Sequence, residues 1–579
     1  MRIQNNSSNP GSPDIGYKYL PIPWIILGIP ILLAFLSTAI QGWGYVFDDS
    51  FITYRYAKNL AMGYGITWNP GLPPTEGYTN FLLVIVLAPV IKFGFDPLLA
   101  TRLLSYTCAI AMAGILFAVA RYRYHCSATI ATMIAALILL VPETKNLSFV
   151  GLETMIYAFF LLVTFIVGVA FMDSRRTTHS IIFSVLLFLT MLLRPEAALL
   201  YPVVFVAFVA TAVQRNWNAL KPLLFGLLVL LIVGSVYLTW KYFHFGQILP
   251  NPFYIKVSGQ ELISPEGIKS LRTFVGNNAL LLALVLPSLV LSFFFARPGQ
   301  PRNKAAALTG FAFLLVYCSF FAHTDTLMDL YGRFLYPLVP IIILLATPVL
   351  ATALGYFESV NRHKFLVLTS ITVAFLLAFG SSNLLGIYEN VSRLTPNDKS
   401  QTSESLMQKE YRISRVLARF PQITEVRVAF NDSGVIPYFS GPIWLDTVGL
   451  NDGYIATTRD KGKVVDYFFN WSPDLVIHPG KADQSWFRYG HGTLGDSQSW
   501  ANDPRWDDYE YVGTSRTSDT LYDLQYFVRK SSRFRISLES FLKEYIVDGW
   551  YEPFPLPIGT YKPNMEIRPM WYPRAAPHS

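Results

Sequence analysis

The chain has 579 residues, of which 52% are hydrophobic and 15% are charged. Soluble domains carry about 25% charged residues, so this composition excludes an ordinary soluble protein and predicts a membrane protein. The net charge is +8, but the bases lie in short loops between apolar runs, as the positive-inside rule describes, so we predict no nucleic-acid partner. With 3 cysteines and no Cys or His spacing typical of metal sites, we expect neither a disulfide framework nor a zinc site.

Long apolar runs cover most of residues 22–389. A transmembrane helix needs about 20 predominantly apolar residues. By this criterion we predict about eleven spans, at residues 22–42, 98–120, 127–142, 154–172, 181–193, 197–213, 222–240, 277–296, 305–321, 334–354 and 364–380. The run at 81–91 is shorter and contains Pro89, so we predict a re-entrant or interfacial segment there. The polar residues 1–21 precede a first helix that we expect to be retained, because no small-residue cleavage site follows it.

The basic loops decide the predicted orientation. With eleven spans, one side holds the basic loops at residues 121–125, 173–179, 214–221, 297–304 and 358–364. The positive-inside rule makes that side cytoplasmic, which places residues 1–21 inside and the C-terminus outside. The outer face then holds most other charged segments, at residues 43–80, 142–153, 194–196, 241–256 and 323–333. We therefore expect a multi-pass protein of the cytoplasmic membrane with a polar cavity at the outer ends of its helices.

From about residue 390 the apolar spans stop and charged residues, Trp and turn signals appear. The composition predicts strands at residues 423–432, 473–479, 509–514 and 519–530. Residues 405–420 have helical apolar spacing. We predict that residues 390–579 form an extracytoplasmic α/β or α+β domain that follows a polytopic α-helical module of residues 22–389. The Pro-rich end, residues 551–579, is expected to be extended.

Several segments, in chain order, resemble a known family. FDDSFITYRYAKNL and EGYTNFL come first, followed by GLET, RPE, HFGQILPNPFYIK and NDSGVIPYFSGPIWLDTVGLND. Together they resemble the GT-C-fold glycosyltransferases, multi-spanning enzymes that take a sugar from a polyprenyl phosphate outside the cytoplasmic membrane. Within that group they most resemble the bacterial branch that contains the mycobacterial terminal β-(1→2)-arabinofuranosyltransferase. The resemblance implies a GT-C-type fold, a polyprenyl-phosphate sugar such as polyprenyl-phosphoryl arabinofuranose, and a cell-envelope glycan, lipid or protein as acceptor.

The loop at residues 43–80 contains two adjacent carboxylates, Asp48 and Asp49. Charged groups beside lipid are costly and mark functional sites. Glycosyl transfer needs a base for the acceptor hydroxyl and positive charge, or a metal, for the leaving phosphate. Asp48 or Asp49 could be the base, or the pair could hold a divalent cation, the one cofactor we consider. On an extended segment their side chains point in opposite directions, so we favour Asp49; the alternative is that one of them caps a helix starting near Ser50.

Four bases are candidates for binding the donor phosphate. Arg55 and Lys58 are about one helical turn apart and therefore share a face. Lys256 lies in the next outer loop, and Arg333 begins a predicted span. The alternatives are intramolecular pairing or lipid-headgroup contacts for the first two, an ordinary surface position for Lys256, and snorkelling to the interface for Arg333.

Polar residues of the outer face are candidates for binding sugar or acceptor. They are Glu76, Tyr78, Asn80, Glu153, Arg194, Glu196, His244 and Asn251. Buried charges must be paired, so a structural salt bridge is the alternative for Glu153, Arg194 and Glu196. An Asn-flanked turn is the alternative for residues 76–80.

A transporter or flippase for a lipid-linked or envelope precursor is the alternative class. Transporters usually bury charges near the middle of the membrane and contain repeated halves. Here the charged residues concentrate at the outer ends of the spans and no repeat is visible. An assembly protein with a membrane anchor would not need eleven spans. We therefore predict an integral membrane glycosyltransferase.

Overall fold

The computed structural model describes residues 22–41, 47–212, 220–257, 263–279, 282–283, 301–324, 326, 329–360, 406–480, 500, 502–515 and 523–547. Residues 1–21, the predicted span at 364–380, most of the predicted span at 277–296, and the Pro-rich end lie outside these residues. Every other predicted span contains an apolar helix.

In the described residues of the N-terminal part, every regular secondary-structure element is a helix. Its helices are α1 (Ile22–Gln41), α2 (Asp48–Ala61), α3 (Phe81–Lys92), α4 (Pro97–Ala118), α5 (Ala128–Leu140), α6 (Pro142–Phe149), α7 (Thr154–Ser174), α8 (Thr177–Met191), α9 (Leu200–Ala212), α10 (Lys221–Phe245), α11 (Asn251–Val257), α12 (Pro265–Asn277), α13 (Pro301–Ala322) and α14 (Leu338–Val360). Within the described residues, four helices are long and apolar enough to cross a membrane, and α5 with α6, if counted as one bent span, makes a fifth. Five further apolar helices are shorter. The chain is a multi-pass membrane protein.

The apolar segment at residues 81–91 forms helix α3. It has 12 residues and is too short to cross the bilayer alone, as predicted. The backbone N–H of Leu82 donates to the carbonyl of Leu192 at 2.9 Å. This hydrogen bond holds the start of α3, and with it Asn80, against the turn that follows α8.

Residues 142–153, which were predicted to lie on the outer face, contain a buried helix. Pro142 begins helix α6, whose residues Glu143–Phe149 are all buried, and α6 is bent by 57° from α5. Proline suits the first helical turn because its missing N–H group needs no partner there. Gly151 then turns the chain with a φ of +84°, and a Cβ at this position would lie 2.7 Å from the Tyr54 hydroxyl. Glycine is therefore required for the close approach of this segment to α2.

The C-terminal part contains a mixed sheet. Its strands are β1 (Arg427–Phe430), β2 (Ile443–Asp446), β3 (Leu475–Gly480), β4 (Tyr509–Ser515) and β5 (Asp523–Arg529). The strand order is β2-β1-β3-β5-β4, with β2, β1 and β3 parallel and β5 and β4 antiparallel to their neighbours. The helices are α15 (Leu406–Leu417), α16 (Val435–Phe439), α17 (Gly453–Thr457), α18 (Lys461–Trp471) and α19 (Arg535–Leu542). Strand β2 was not predicted; the other four strands lie where the sequence indicated.

Helix α2 joins the two parts of the protein. The ring of Phe51 packs edge-on against Tyr438 at a centroid distance of 5.2 Å. In the loop that follows α2, the Asn69 amide donates to the carbonyl of Trp444 at 2.8 Å and accepts from the Trp444 N–H at 3.1 Å. The buried apolar core continues from the membrane helices into the C-terminal part. The first turn of α2 thus lies at the junction.

Candidate active site

Asp48 and Asp49 form the first turn of α2, where the helix dipole favours acidic side chains. Phe47 occupies the N-cap position, and no side chain caps this helix. The alternative in which one aspartate caps a helix starting near Ser50 is therefore wrong, because the helix begins two residues earlier. Neighbouring side chains on a helix are about 100° apart around its axis. The two carboxylates consequently reach different surroundings, although the segment is helical and not extended.

Asp49 is the more exposed member of the pair. Its side chain is 23% exposed, and its Oδ2 atom lies 2.9 Å from Nη2 of Arg333. The guanidinium of Arg333 lies over the rings of Phe47 and Phe334, at 5.4 and 5.1 Å from their centroids. The structure thus brings together one predicted catalytic residue and one predicted phosphate-binding residue that are far apart in sequence.

A buried ion pair adjoins this one. Arg194 lies 2.7 Å from Oε1 of Glu153, and the side chains are only 4% and 8% exposed. Oε2 of Glu153 accepts a hydrogen bond from the Asn80 amide at 2.9 Å, and Oδ1 of Asn80 accepts one from the Thr53 hydroxyl of α2 at 3.0 Å. Burial alone would raise the pKa of Glu153, but Arg194 and Arg333 outweigh this effect and hold that pKa below its usual value. Glu153 is therefore held as a carboxylate.

Arg194 connects the two ion pairs. Its Nη1 atom donates to the carbonyl oxygen of Arg333 at 3.4 Å and lies 3.5 Å from the carboxylate of Glu196. A structural salt bridge, the alternative that the sequence offered for these residues, is therefore present. Glu153 lies closer to Arg194 than Glu196 does. Asp49, Arg333, Arg194 and Glu153 form one polar network. It links the first turn of α2 to the ends of the neighbouring helices.

Glu76 lies in a separate ion pair. Its Oε2 atom is 2.8 Å from Nζ of Lys241, and both side chains are buried. Burial raises the pKa of Glu76 to about 7, although Lys241 acts in the opposite direction. Tyr78 is buried nearby, edge-on to Tyr56 at 4.7 Å. The sequence analysis did not select Lys241; a base near the end of an apolar helix, which must find a counter-ion, was the available signal.

His244 and Asn251 contact backbone groups of neighbouring loops. His244 stacks on Trp240 at 5.3 Å, and its Nε2 atom lies 3.1 Å from the carbonyl oxygen of Ile66. The Asn251 amide donates to the carbonyl of Leu450 at 3.2 Å. Sugar or acceptor binding by these two residues stays a prediction. The side chain of Lys256 lies outside the described part of the chain.

Arg55 and Lys58 share one face of α2, as predicted, but that face meets the C-terminal part. Arg55 donates to the carbonyls of Trp68 and Pro437, and its guanidinium lies 4.6 Å from the centre of the Trp68 ring. Lys58 donates to the carbonyl of Tyr438 at 3.0 Å, and burial lowers its pKa to about 7. In this structure both residues make intramolecular contacts, which was the alternative to phosphate binding.

Asp48 faces the C-terminal part. It is 5% exposed, and its Oδ1 atom accepts a hydrogen bond from the Val435 N–H at 2.5 Å. Burial, and then the neighbouring carboxylate of Asp432, raise the pKa of Asp48 well above its usual value. Carboxylate oxygens of Asp48, Glu410 and Asp432 lie within 4.8 Å of one another. Among the described residues these three acidic side chains are close enough to share one ion. A cation held by Asp48 together with Asp49 stays a prediction.

Glu410 and Asp432 were not selected from the sequence. Asp432 is the last residue of the predicted strand at residues 423–432, a position where an acidic residue is ordinary turn chemistry. Glu410 lies in helix α15 on the same helical face as Ile413 and Leu417, because these residues are spaced by three or four. A charged residue in the apolar stripe of an amphipathic helix was the signal that could have identified it.

Two solved structures of ArnT from Cupriavidus metallidurans are similar in fold to this chain. Apo ArnT is similar with a TM-score of 0.52 and 14% identity, covering 88% of this chain and 98% of ArnT. ArnT bound to undecaprenyl phosphate is similar with a TM-score of 0.50 and 14% identity, covering 79% and 93%.

Sequence comparisons match a smaller part of the chain than the structural comparisons do. A family model described as a domain of unknown function, DUF8728, matches residues 401–532, which include Glu410 and Asp432. No curated protein sequence matches the chain. At 14% identity, the structural similarity establishes the fold alone. The protein is a multi-pass membrane protein with a GT-C-like fold, the fold of ArnT.

Proposed function

We propose that the protein is an integral membrane glycosyltransferase that transfers a sugar from a polyprenyl-phosphate donor to a cell-envelope acceptor. The observation that carries this proposal is the pair of Asp49 and Arg333, a partly exposed carboxylate 2.9 Å from a guanidinium. A fold shared with ArnT, which has been solved with undecaprenyl phosphate, supports a lipid-phosphate donor. The sequence resemblance of the segments around Asp48 and at residues 431–452 supports arabinofuranose as the sugar.

The two groups divide the chemistry between them. The carboxylate of Asp49 takes the proton of the acceptor hydroxyl while that oxygen forms a bond to the anomeric carbon of the sugar. The bond from that carbon to the phosphate oxygen breaks, and its electron pair leaves with the polyprenyl phosphate. Arg333 stabilises the resulting charge.

Arg333 has donor capacity left for this task. Its Nε atom is buried and has no hydrogen-bond partner among the described residues, while Nη2 faces Asp49. A guanidinium presents parallel donors that match the oxygens of a phosphate. Oxygens of the donor phosphate would accept from this Nε–H group, which has no partner in the part of the chain that the structure describes.

The other predicted residues take supporting roles in this proposal. Glu153, Arg194, Glu196 and Asn80 position the first turn of α2 and Arg333 through the polar network. Glu76, Tyr78, His244 and Asn251 are proposed to contact sugar or acceptor, and Lys256 remains a phosphate candidate. In this proposal the site and the C-terminal domain lie on the extracytoplasmic face.

The test is a transfer assay with the purified protein in detergent. Radiolabelled polyprenyl-phosphate sugars, arabinofuranose among them, are offered with cell-wall glycan acceptors to wild type, Asp49→Asn and Arg333→Gln. We expect transfer by wild type and a loss of about 10²–10⁴-fold in Asp49→Asn, because the base is removed. A loss of about 10²–10³-fold is expected in Arg333→Gln. Asp466→Asn, at a carboxylate that is 63% exposed in the C-terminal domain, is the matched control and should keep its activity.

Folding of each variant is checked by thermal unfolding. Full transfer by Asp49→Asn would exclude the catalytic role of that carboxylate. Absence of transfer by wild type from every donor, together with movement of a lipid-linked precursor across proteoliposomes, would replace the transferase by the transporter or flippase.

A further inference from the structure

Three acidic side chains from distant parts of the chain meet where α2 contacts the C-terminal part. Asp48 comes from the first turn of α2, Glu410 from α15, and Asp432 from the turn after β1. Their carboxylate oxygens lie within 4.8 Å of one another. The exposed fraction is 5% for Asp48 and 0% for Glu410, and Asp432 is half-buried. Burying several carboxylates side by side is strongly unfavourable unless their charge is compensated.

The buried oxygens of this cluster also lack hydrogen-bond donors. Oδ2 of Asp48 and both carboxylate oxygens of Glu410 have no hydrogen-bond partner within the described residues. Most buried polar atoms in proteins are hydrogen-bonded, so three orphaned oxygens in one place call for a bound cation or a proton beside them. Glu410 is informative because it is wholly enclosed and yet directs its carboxylate toward the other two.

The surrounding backbone allows this close approach. A Cβ on Gly434 would lie 2.1 Å from Oδ2 of Asp48 and 2.2 Å from its backbone oxygen. The turn that carries Asp432 can therefore contact Asp48 only because residue 434 has no side chain. The Val435 N–H then fixes the other oxygen of Asp48 at 2.5 Å.

We propose that Asp48, Glu410 and Asp432 bind a divalent, oxygen-preferring cation of the Mg²⁺, Mn²⁺ or Ca²⁺ class, which fastens the C-terminal part to helix α2. These ions prefer carboxylate ligands, whereas a set without His or Cys does not suit zinc or copper. The ion compensates the buried charge and gives the orphaned oxygens a partner. Since Asp49 follows Asp48 directly, the ion also holds the turn that carries Asp49. The proposal does not depend on the transferase activity.

The experiment measures ion binding by the full-length purified protein after treatment with a chelator. CaCl₂, MgCl₂ and MnCl₂ are supplied separately, bound metal is counted after equilibrium dialysis, and thermal unfolding is recorded with and without each ion. Glu410→Gln removes a ligand while keeping the shape of the side chain, and Asp432→Asn is a second such variant. Glu425→Gln, at a site that is 51% exposed in the same part of the chain, is the matched control.

We expect wild type and Glu425→Gln to bind about one ion and to unfold at a higher temperature when it is present. Glu410→Gln and Asp432→Asn should bind the ion more than ~10-fold more weakly and lose the increase in unfolding temperature. Groups that only hydrogen-bond to the ligands of a metal already contribute about 10–100-fold to metal affinity, and each of these variants loses a ligand itself. Binding of none of the three ions by wild type would overturn the proposal, as would unchanged binding by a folded Glu410→Gln variant. Stabilisation of wild type by acid but by no ion would also overturn it, since a shared proton would then neutralise the cluster.

Discussion

The two sides of the first turn of α2 have opposite electrostatic character. On the side of Asp49, carboxylates meet guanidinium groups: Asp49 pairs with Arg333, and Glu153 pairs with Arg194. On the side of Asp48, a carboxylate meets the carboxylates of Glu410 and Asp432. Two adjacent residues of the same type thus have different chemistry available to them. Partners brought by tertiary packing, and not residue type, determine what a buried charge can do.

The largest effect on stability is expected on the paired side. Arg194→Met keeps most of the side-chain volume but leaves the buried carboxylate of Glu153 without its cation. Breaking a buried pair in this way costs about 3–5 kcal/mol of unfolding free energy. Unfolding titrations in detergent would measure the loss. The double variant Glu153→Gln with Arg194→Met should recover part of it, and equal stability of the single variant and wild type would contradict the view that ion pairs hold this side.

A pH dependence of up to roughly 3 kcal/mol is expected from Glu76. Its pKa is raised from 4.5 to about 7 by burial. The folded protein therefore binds more protons than the unfolded chain between these values, and stability is lost as pH rises from about 4.5 through about 7. Unfolding temperatures of wild type and Glu76→Gln across this range measure it. Relative to wild type, Glu76→Gln should become more stable as the pH rises, and the difference in unfolding temperature should level off above about pH 7. Parallel curves would mean that the pair with Lys241 keeps the pKa of Glu76 near its ordinary value.

Gly434→Ala tests the close contact on the unpaired side. The added methyl group would collide with Asp48, and overpacking of this kind costs about 1–3 kcal/mol of unfolding free energy. Gly276→Ala is the control, because a Cβ there meets no atom within 4 Å. A fall in unfolding temperature for Gly434→Ala alone is the expected result. Equal unfolding temperatures for both variants would show that the turn can move away from Asp48 at little cost.

Glu410→Gln is expected to have the smallest effect when metal is absent. It removes a carboxylate that has no hydrogen-bond partner within the described residues, so the unfolding free energy should stay within about 1 kcal/mol of wild type or increase. Unfolding in the presence of chelator measures this. A loss as large as that of Arg194→Met would mean that the charge of Glu410 is compensated within the protein, and the contrast between the two sides would disappear.

Much of the site could be selected from the sequence, because a charged residue next to an apolar run has a high desolvation cost and therefore indicates a functional or structural role. Asp48, Asp49, Glu153, Arg194 and Arg333 were all found in this way. What the sequence did not indicate was their pairing. The Asp49–Arg333 contact joins residues 284 positions apart, and Glu76 pairs with Lys241, which directly follows a predicted span. Such contacts depend on which helix ends meet.

Local hydropathy determined the membrane class, the positions of the apolar helices and four of the five strands, because each depends on a few consecutive residues. Tertiary structure alone decided that the polar segment of α6 is buried and that Arg55 and Lys58 contact carbonyl groups of the C-terminal part. It also decided that Asp48 meets Glu410 and Asp432. Burial of a polar group is set by what packs against it, and no pattern within one segment records a neighbour that arrives from several hundred residues away.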